Sequence, residues 1–288
     1  MRTMMLWGVL AAALVSGCAT NLEGVRRFAS DTDALVGGVN TQLAYLPVSC
    51  EHRSSLVELI HGSDAEISRQ TRSVCDDLAV SARAAASMTL GVDAYAKALG
   101  ALAQDGLATY TSELDGLATS LKGLHKGDST PVVSADQAEA LGKLTRLVLE
   151  AATKGMRQRE LKTMLAEHES LAVILNQLAA MMELDYVVAL QLEQREYATK
   201  LVTLKRVYGD KEPIRVRELE RIFTASGRQI DARIAAARAS AQALHDLVAA
   251  HARLRENADR LERVDQIKEV NRYRKQMVDV REALARAF

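Results

Sequence analysis

Ala243 to Phe288 reads ALHDLVAAHARLRENADRLERVDQIKEVNRYRKQMVDVREALARAF, and its spacing decides the fold. Leu247, Leu254 and Leu261 recur every seven residues, and so do Val270, Met277 and Leu284, with Tyr273 and Val280 filling the alternate seam. A seven-residue apolar period places one stripe along one face of a helix, the pattern of helices that lie side by side. The two runs are out of phase, so the stripe drifts around the helix where they meet. The flanks carry Arg253, Arg255, Glu256, Arg260, Glu262 and Arg263. Acids interleave the bases there, which reads as a solvated helix face with i,i+4 pairs and not as a nucleic-acid patch.

Working outward, turn signals are few: Pro47 to His52, Gly62-Ser63, His125 to Pro131, and Tyr208 to Pro213. Between them the apolar period is helical and no alternating strand pattern survives. The spacing predicts helices over 21–46, 53–61, 64–124, 134–208 and 213–287. Ser134-Ala135-Asp136-Gln137 and Ser63-Asp64-Ala65-Glu66 have the form of capping boxes, and Pro213 suits a first helical turn. Three of the helices, if unbroken, span about 90–110 Å at 1.5 Å per residue. Helices that long must lie alongside one another, up-down-up. The fold class expected is all-α: an elongated antiparallel bundle with three long, coiled-coil-like helices and a short disulfide-linked helical hairpin.

Composition agrees. Aromatics are 4% of the chain and prolines number three, so the core must come from Ala, Leu, Val, Ile and Met. Lys+Arg and Asp+Glu balance at 37 each, which leaves no global basic field to draw in nucleic acid.

Two stretches stand apart. Ala84 to Gly123 holds glycines at 91, 100, 106, 116 and 123. Glycine inside a helix costs about 1 kcal/mol relative to alanine, so five imply close approach to a neighbour, real breaks, or both. Leu171 to Leu192, LAVILNQLAAMMELDYVVALQL, is apolar nearly all round. Asn176, Gln177, Glu183, Asp185 and Gln191 argue against a simple membrane span. Burial at the centre of the bundle is one reading. The other is a surface kept open for a partner or membrane, built from Leu171, Ile174, Leu175, Leu178 and the flexible Met181 and Met182.

Cys50 and Cys75 flank Gly62-Ser63 evenly. If Arg53–His61 and Asp64–Cys75 are the arms of a helical hairpin, the two cysteines sit level at its open end, placed for a disulfide. Catalytic redox pairs are normally Cys-x-x-Cys, which this is not.

Met1 to Ala19 carries a single Arg2, then an uncharged apolar run from Met4 to Val15, too short to span about 30 Å of hydrocarbon. It closes on Val15-Ser16-Gly17-Cys18, which resembles the lipobox of bacterial lipoprotein precursors. The resemblance implies a signal peptide over 1–17, cleavage after Gly17, a diacylglycerol thioether on Cys18, and a lipidated N-terminus over 18–20 ahead of one elongated helical domain, 21–288. Ala19, where enteric-type lipoproteins retained in the inner membrane carry aspartate, favours an outer-membrane anchor facing the periplasm.

Catalytic motifs are absent from the sequence. Glu58-Leu59-Ile60-His61 is a lone Glu-x-x-His, where a di-iron bundle needs two copies and two more carboxylates. His168-Glu169 lacks the second histidine of a metalloprotease. No metal, cofactor or enzymatic activity is expected. The functional expectation is a lipid-anchored scaffold that engages envelope proteins or cell wall, with no nucleic-acid partner. The alternative is a membrane-active protein that resembles, in architecture only, the α-helical pore-forming toxins.

Overall fold

The computed structural model describes residues 22–61, 65–104, 106, 108–153, 157–261 and 267–288. The lipobox, Cys18, and Ser63 and Asp64 of the Ser63–Glu66 capping box lie outside them. Ten α-helices carry the described chain: α1 Glu23–Leu43, α2 Leu46–His61, α3 Ala65–Leu102, α4 Leu117–Lys122, α5 Ala135–Thr153, α6 Arg157–Ala166, α7 His168–Ala180, α8 Val187–Tyr208, α9 Pro213–Glu256 and α10 Lys268–Ala287. A π-helical segment, Met181–Tyr186, joins α7 to α8. The all-α expectation holds. The three long helices are α3 at 38 residues, the continuous His168–Tyr208 at 41 and α9 at 44.

Each of these is shorter than the sequence reading, and the reasons are local. The helix expected over 64–124 stops at Leu102, where the Gly106 N–H folds back to the Ala101 carbonyl at 2.9 Å. Gly116 then adopts φ +70°, a left-handed conformation glycine takes without steric cost, and starts α4. The glycines therefore divide by role. A methyl on Gly91 would strike Leu141 of α5, and one on Gly100 would lie 3.3 Å from the Ala29 side chain of α1, so these two permit close helix contact. Gly106, Gly116 and Gly123 lie in the break.

The helix expected over 213–287 ends at Glu256 and resumes at Lys268, with α10 folded back antiparallel on α9. Ala236 of α9 packs with Ala283 and Ala287 of α10. The phase slip between Leu261 and Val270 thus marks a reversal of the chain. The helix expected over 134–208 breaks at Glu167, and its continuation bulges at 181–186. The break expected over Pro47–His52 falls earlier, at Ala44-Tyr45. Pro47 sits in the first turn of α2, where its missing N–H costs no hydrogen bond.

Ser134 caps α5 as its sequence implies. Its Oγ accepts from the Gln137 N–H at 3.2 Å, and the Gln137 side chain accepts from the Ser134 N–H at 2.7 Å. Ser134→Ala should cost about 1 kcal/mol, read as a lowered urea midpoint with an unchanged denaturant slope.

One continuous core runs through the bundle, from Leu22 and Phe28 through Tyr95, Leu141 and Leu175 to Leu247 and Tyr273. Register along it is set by α1 against α9. Phe28 meets His251, Gln42 donates to Ser240 at 2.8 Å, and the Arg233 guanidinium lies 3.8 Å over the Tyr45 ring. As numbers rise in α1 they fall in α9, so the two are antiparallel. The start of α1 lies at one pole of α9 and the α8–α9 turn at the other.

Candidate functional site

Two polar layers interrupt the apolar core. The first forms where the α6–α7 break meets α3 and α9. Ending α6 leaves the Met164 carbonyl in a terminal turn, and the Tyr95 hydroxyl of α3 donates to it at 3.0 Å. The Tyr95 oxygen, its hydrogen thus committed, is then the acceptor for His251 Nε2–H at 2.6 Å. That leaves His251 Nδ1 bare, and His168 Nδ1, 3.2 Å away, donates to it. The two imidazole planes lie within 12° of each other with centroids 5.4 Å apart, an edge-to-edge meeting that keeps this N–H···N contact in plane. His251 is fully buried. Burial, then His168 and Arg255, push its pKa down to about 3, and burial lowers that of His168 as well. The layer is satisfied with both rings neutral.

The second layer lies toward the other end of α9 and ties α2 to α8. Glu193, 2% exposed, accepts from Ser49 Oγ at 2.6 Å and from His52 Nδ1 at 3.1 Å. The Tyr45 hydroxyl lies 3.2 Å from the same His52 nitrogen. Tyr186, turned inward by the π segment, is buried with its hydroxyl unpartnered, within electrostatic reach of Arg233, Tyr45 and Glu193. Burial raises the pKa of Tyr45, Tyr186 and Tyr197 alike, so all three stay neutral phenols at physiological pH. Serine, histidine and a carboxylate meet here in the wrong order for nucleophilic catalysis. A serine nucleophile must donate to the imidazole, with the acid bound to the other ring nitrogen. In this layer Ser49 and His52 both turn to Glu193, and the carboxylate acts as a clamp between helices.

Beside this clamp Cys50 of α2 and Cys75 of α3 form the disulfide expected from their spacing, with Cα atoms 5.4 Å apart. Cys50 borders a shallow groove of about 200 Å³ between α2, α3 and α8, lined also by Arg53, Leu78, Asp185 and Leu192. Val48, Val74, Leu184 and Val188 face solvent around this corner. A wider groove of about 380 Å³ separates α3 from the 125–127 loop. Arg72, Asp76 and Lys126 line it, and the Gly127 N–H donates to Asp77 at 2.8 Å.

The surface proposed on Leu171, Ile174, Leu175, Leu178, Met181 and Met182 is corrected by the structure. All six are at most 2% exposed and pack in the core, because α7 lies against α5 and α9. The apolar residues this segment presents outward are Val173, Leu184 and Val188. His168–Tyr208 is long and apolar enough to cross a membrane, yet half of its most apolar window is buried within the bundle. Among the described residues, no group of three or more histidine, cysteine or acidic side chains is placed to hold a metal ion. The side chain of His61, in the lone Glu-x-x-His, lies outside the described set.

Sequence reasoning missed both polar layers. Their members are far apart in the chain, 141 residues for His52 and Glu193 and 156 for Tyr95 and His251. The one local signal was a histidine on an apolar helix face, as at His251. No family model, curated protein or solved structure matches this chain.

Proposed function

We propose that the chain is a lipid-anchored lipoprotein of the bacterial envelope, on the periplasmic face of the outer membrane, acting as a non-enzymatic scaffold. The observation that carries this reading is Val15-Ser16-Gly17-Cys18 at the end of an uncharged apolar run. Two features support it. Cys50 and Cys75 are paired, as suits an oxidising compartment, and Cys18 is left as the one cysteine outside the pair. Three residues separate Cys18 from Leu22, a reach of at most about 14 Å over four steps, so the start of α1 lies close to the bilayer and the α8–α9 turn far from it.

The test is metabolic labelling with an alkyne-bearing palmitate in bacteria that express the chain. Label should appear on the wild type, with the protein in the membrane fraction, and be lost in Cys18→Ser. A wild-type chain that takes no label and stays soluble would overturn the anchor.

The second reading, a membrane-active protein, draws on the apolar His168–Tyr208 helix. It requires the core to open, since Leu175, Leu178 and Met182 are fully buried. Dye release from vesicles by the Cys18→Ser chain would favour it. Intact vesicles, with 171–192 protected from amide exchange, would reject it.

A further inference from the structure

Beyond the Tyr197–Phe223 ring contact at 5.2 Å, α8 and α9 continue as a two-helix arm whose side chains mostly face solvent. The arm reverses at Gly209–Glu212, where the Lys211 and Glu212 N–H groups both return to the Tyr208 carbonyl. Val216 is buried near the turn, but Ile214 is 79% exposed and Val202 66%, with Val207 and Tyr208 nearly half exposed. A solvated turn gains nothing from an open isoleucine, valine and tyrosine grouped at its apex.

Charge at the apex is equally uneven. From Lys205 to Glu220 five cations, Lys205, Arg206, Lys211, Arg215 and Arg217, stand against Asp210, Glu212, Glu218 and Glu220, and it is their pairing that leaves the turn basic. Lys205 pairs with Glu220 at 2.6 Å and Arg215 with Glu212 at 3.2 Å. Arg206, Lys211 and Arg217 have no carboxylate partner among the described residues. Exposed apolar side chains interspersed in the same turn with unpaired cations match a bilayer interface with anionic headgroups. Cations meet phosphate, apolar tips enter the acyl boundary, and a tyrosine suits the level between. Nucleic acid would reward the cations but leave Ile214 and Val202 in water.

Position strengthens the match. From His251, level with Phe28 near the start of α1, to Pro213 is 38 residues of continuous helix, about 57 Å. The apex is therefore the part of α9 farthest from the pole where the chain leaves toward Cys18.

We propose that the α8–α9 turn, Lys205–Arg217, is a docking surface for an anionic phospholipid membrane. With the N-terminal anchor, which rests on the reading above, the protein then bridges two bilayers, held by lipid at one pole and by charge and apolar contact at the other.

The test uses the full lipidated chain purified from bacterial membranes and inserted into phosphatidylcholine vesicles. Flotation of protein with those vesicles reads the anchor alone. Fluorescent acceptor vesicles, of phosphatidylcholine with or without phosphatidylglycerol, are then added. Capture of only the phosphatidylglycerol acceptors is expected, lost in high salt. The triple variant Arg206→Glu, Lys211→Glu, Arg217→Glu should weaken capture by about a hundredfold, and Ile214→Ser should weaken it with the salt dependence retained. All four positions are exposed, so helicity and melting should match wild type.

Equal capture of both acceptors, capture unchanged in the triple variant, or no capture overturns the proposal. So does bridging that requires protein on both vesicles, which indicates a second copy, or binding to isolated cell wall in place of the anionic acceptors. If the chain fails to float in the first step, only the anchor falls. The same protein sedimented directly with phosphatidylglycerol vesicles then decides the docking surface.

Discussion

Replacing Cys50 and Cys75 together by serine should lower the unfolding free energy by about 3 kcal/mol, and the loss should be felt unevenly along the chain. The bridge closes a loop of 25 residues, so removing it restores considerable freedom to the unfolded chain. Among the described residues, what else holds that loop is modest. From Glu51 to Arg72 most described side chains face solvent, Leu56 being buried, and the Ser49–Glu193–His52 clamp fastens only the first turns of α2. The expected signature is a lower urea midpoint together with lost amide-exchange protection across α2 and the first turns of α3. Protection at Tyr95, Leu175 and Leu247, deep in the core, should fall only with global stability. Reductant added to the wild type should reproduce the pattern. If neither the midpoint nor the exchange in α2 changes, the hairpin is held by packing, and the bridge contributes nothing.

That result bears on why some of this fold was legible in sequence and some was not. The cysteine spacing was sufficient because a hairpin makes the geometry local, with both arms rising equally from one turn. Helical period was sufficient for fold class for the same reason. Leu247 and Leu254 report the same face of α9, and Leu261 keeps the period just past its end. Boundaries were harder. The slip between Leu261 and Val270 was visible, but a drifting stripe and a chain reversal give the same change of phase. Only the packing of Ala236 against Ala283 and Ala287 decides between them. Pro47 misled in the opposite direction. A proline costs little in a first helical turn, so it marked where α2 begins and not a gap before it.

The sites were less legible still, because they are made by tertiary contact. The apolar segment Leu171–Leu192 was ambiguous between core and interface since both need the same composition. Burial of Leu175 and Leu178 removes them from any surface. The π segment at Met181–Tyr186, which shifts the phase of the helix between buried Met182 and buried Tyr186, has no sequence signal at all. The α8–α9 apex could have been found earlier. Its excess of Lys and Arg is local and vanishes in the balanced total, so only a windowed charge count beside an exposed Ile214 reveals it.

The largest pH effect should come from His251. Its ring is fully buried, hydrogen-bonded at both nitrogens while neutral, and its pKa is pushed down to about 3, first by burial and then by His168 and Arg255. In the unfolded chain the same residue titrates near 6.5. Between these values the unfolded state takes up a proton that the folded state does not, so stability rises with pH across the window. The contribution is fully present above about pH 6.5 and falls as acid is added, roughly tenfold in the folding equilibrium per unit, about a hundredfold by pH 4.5. His168, shifted in the same direction, adds to the loss. Asp93 acts against it. Burial, and Asp33 beside it, raise its pKa to about 6, so its protonation favours the folded state as pH falls through that value. The total profile mixes these signs, and a difference isolates the histidine. His251→Gln keeps an amide in reach of Tyr95 but cannot titrate. The variant should be less stable than wild type at pH 7, yet lose less on acidification, so the two urea midpoints converge toward pH 4.5. Parallel curves from pH 7 to 4.5 would mean that His251 takes up its proton in the folded state as readily as in water, and the Tyr95–His251–His168 chain would have to be redrawn with a charged centre.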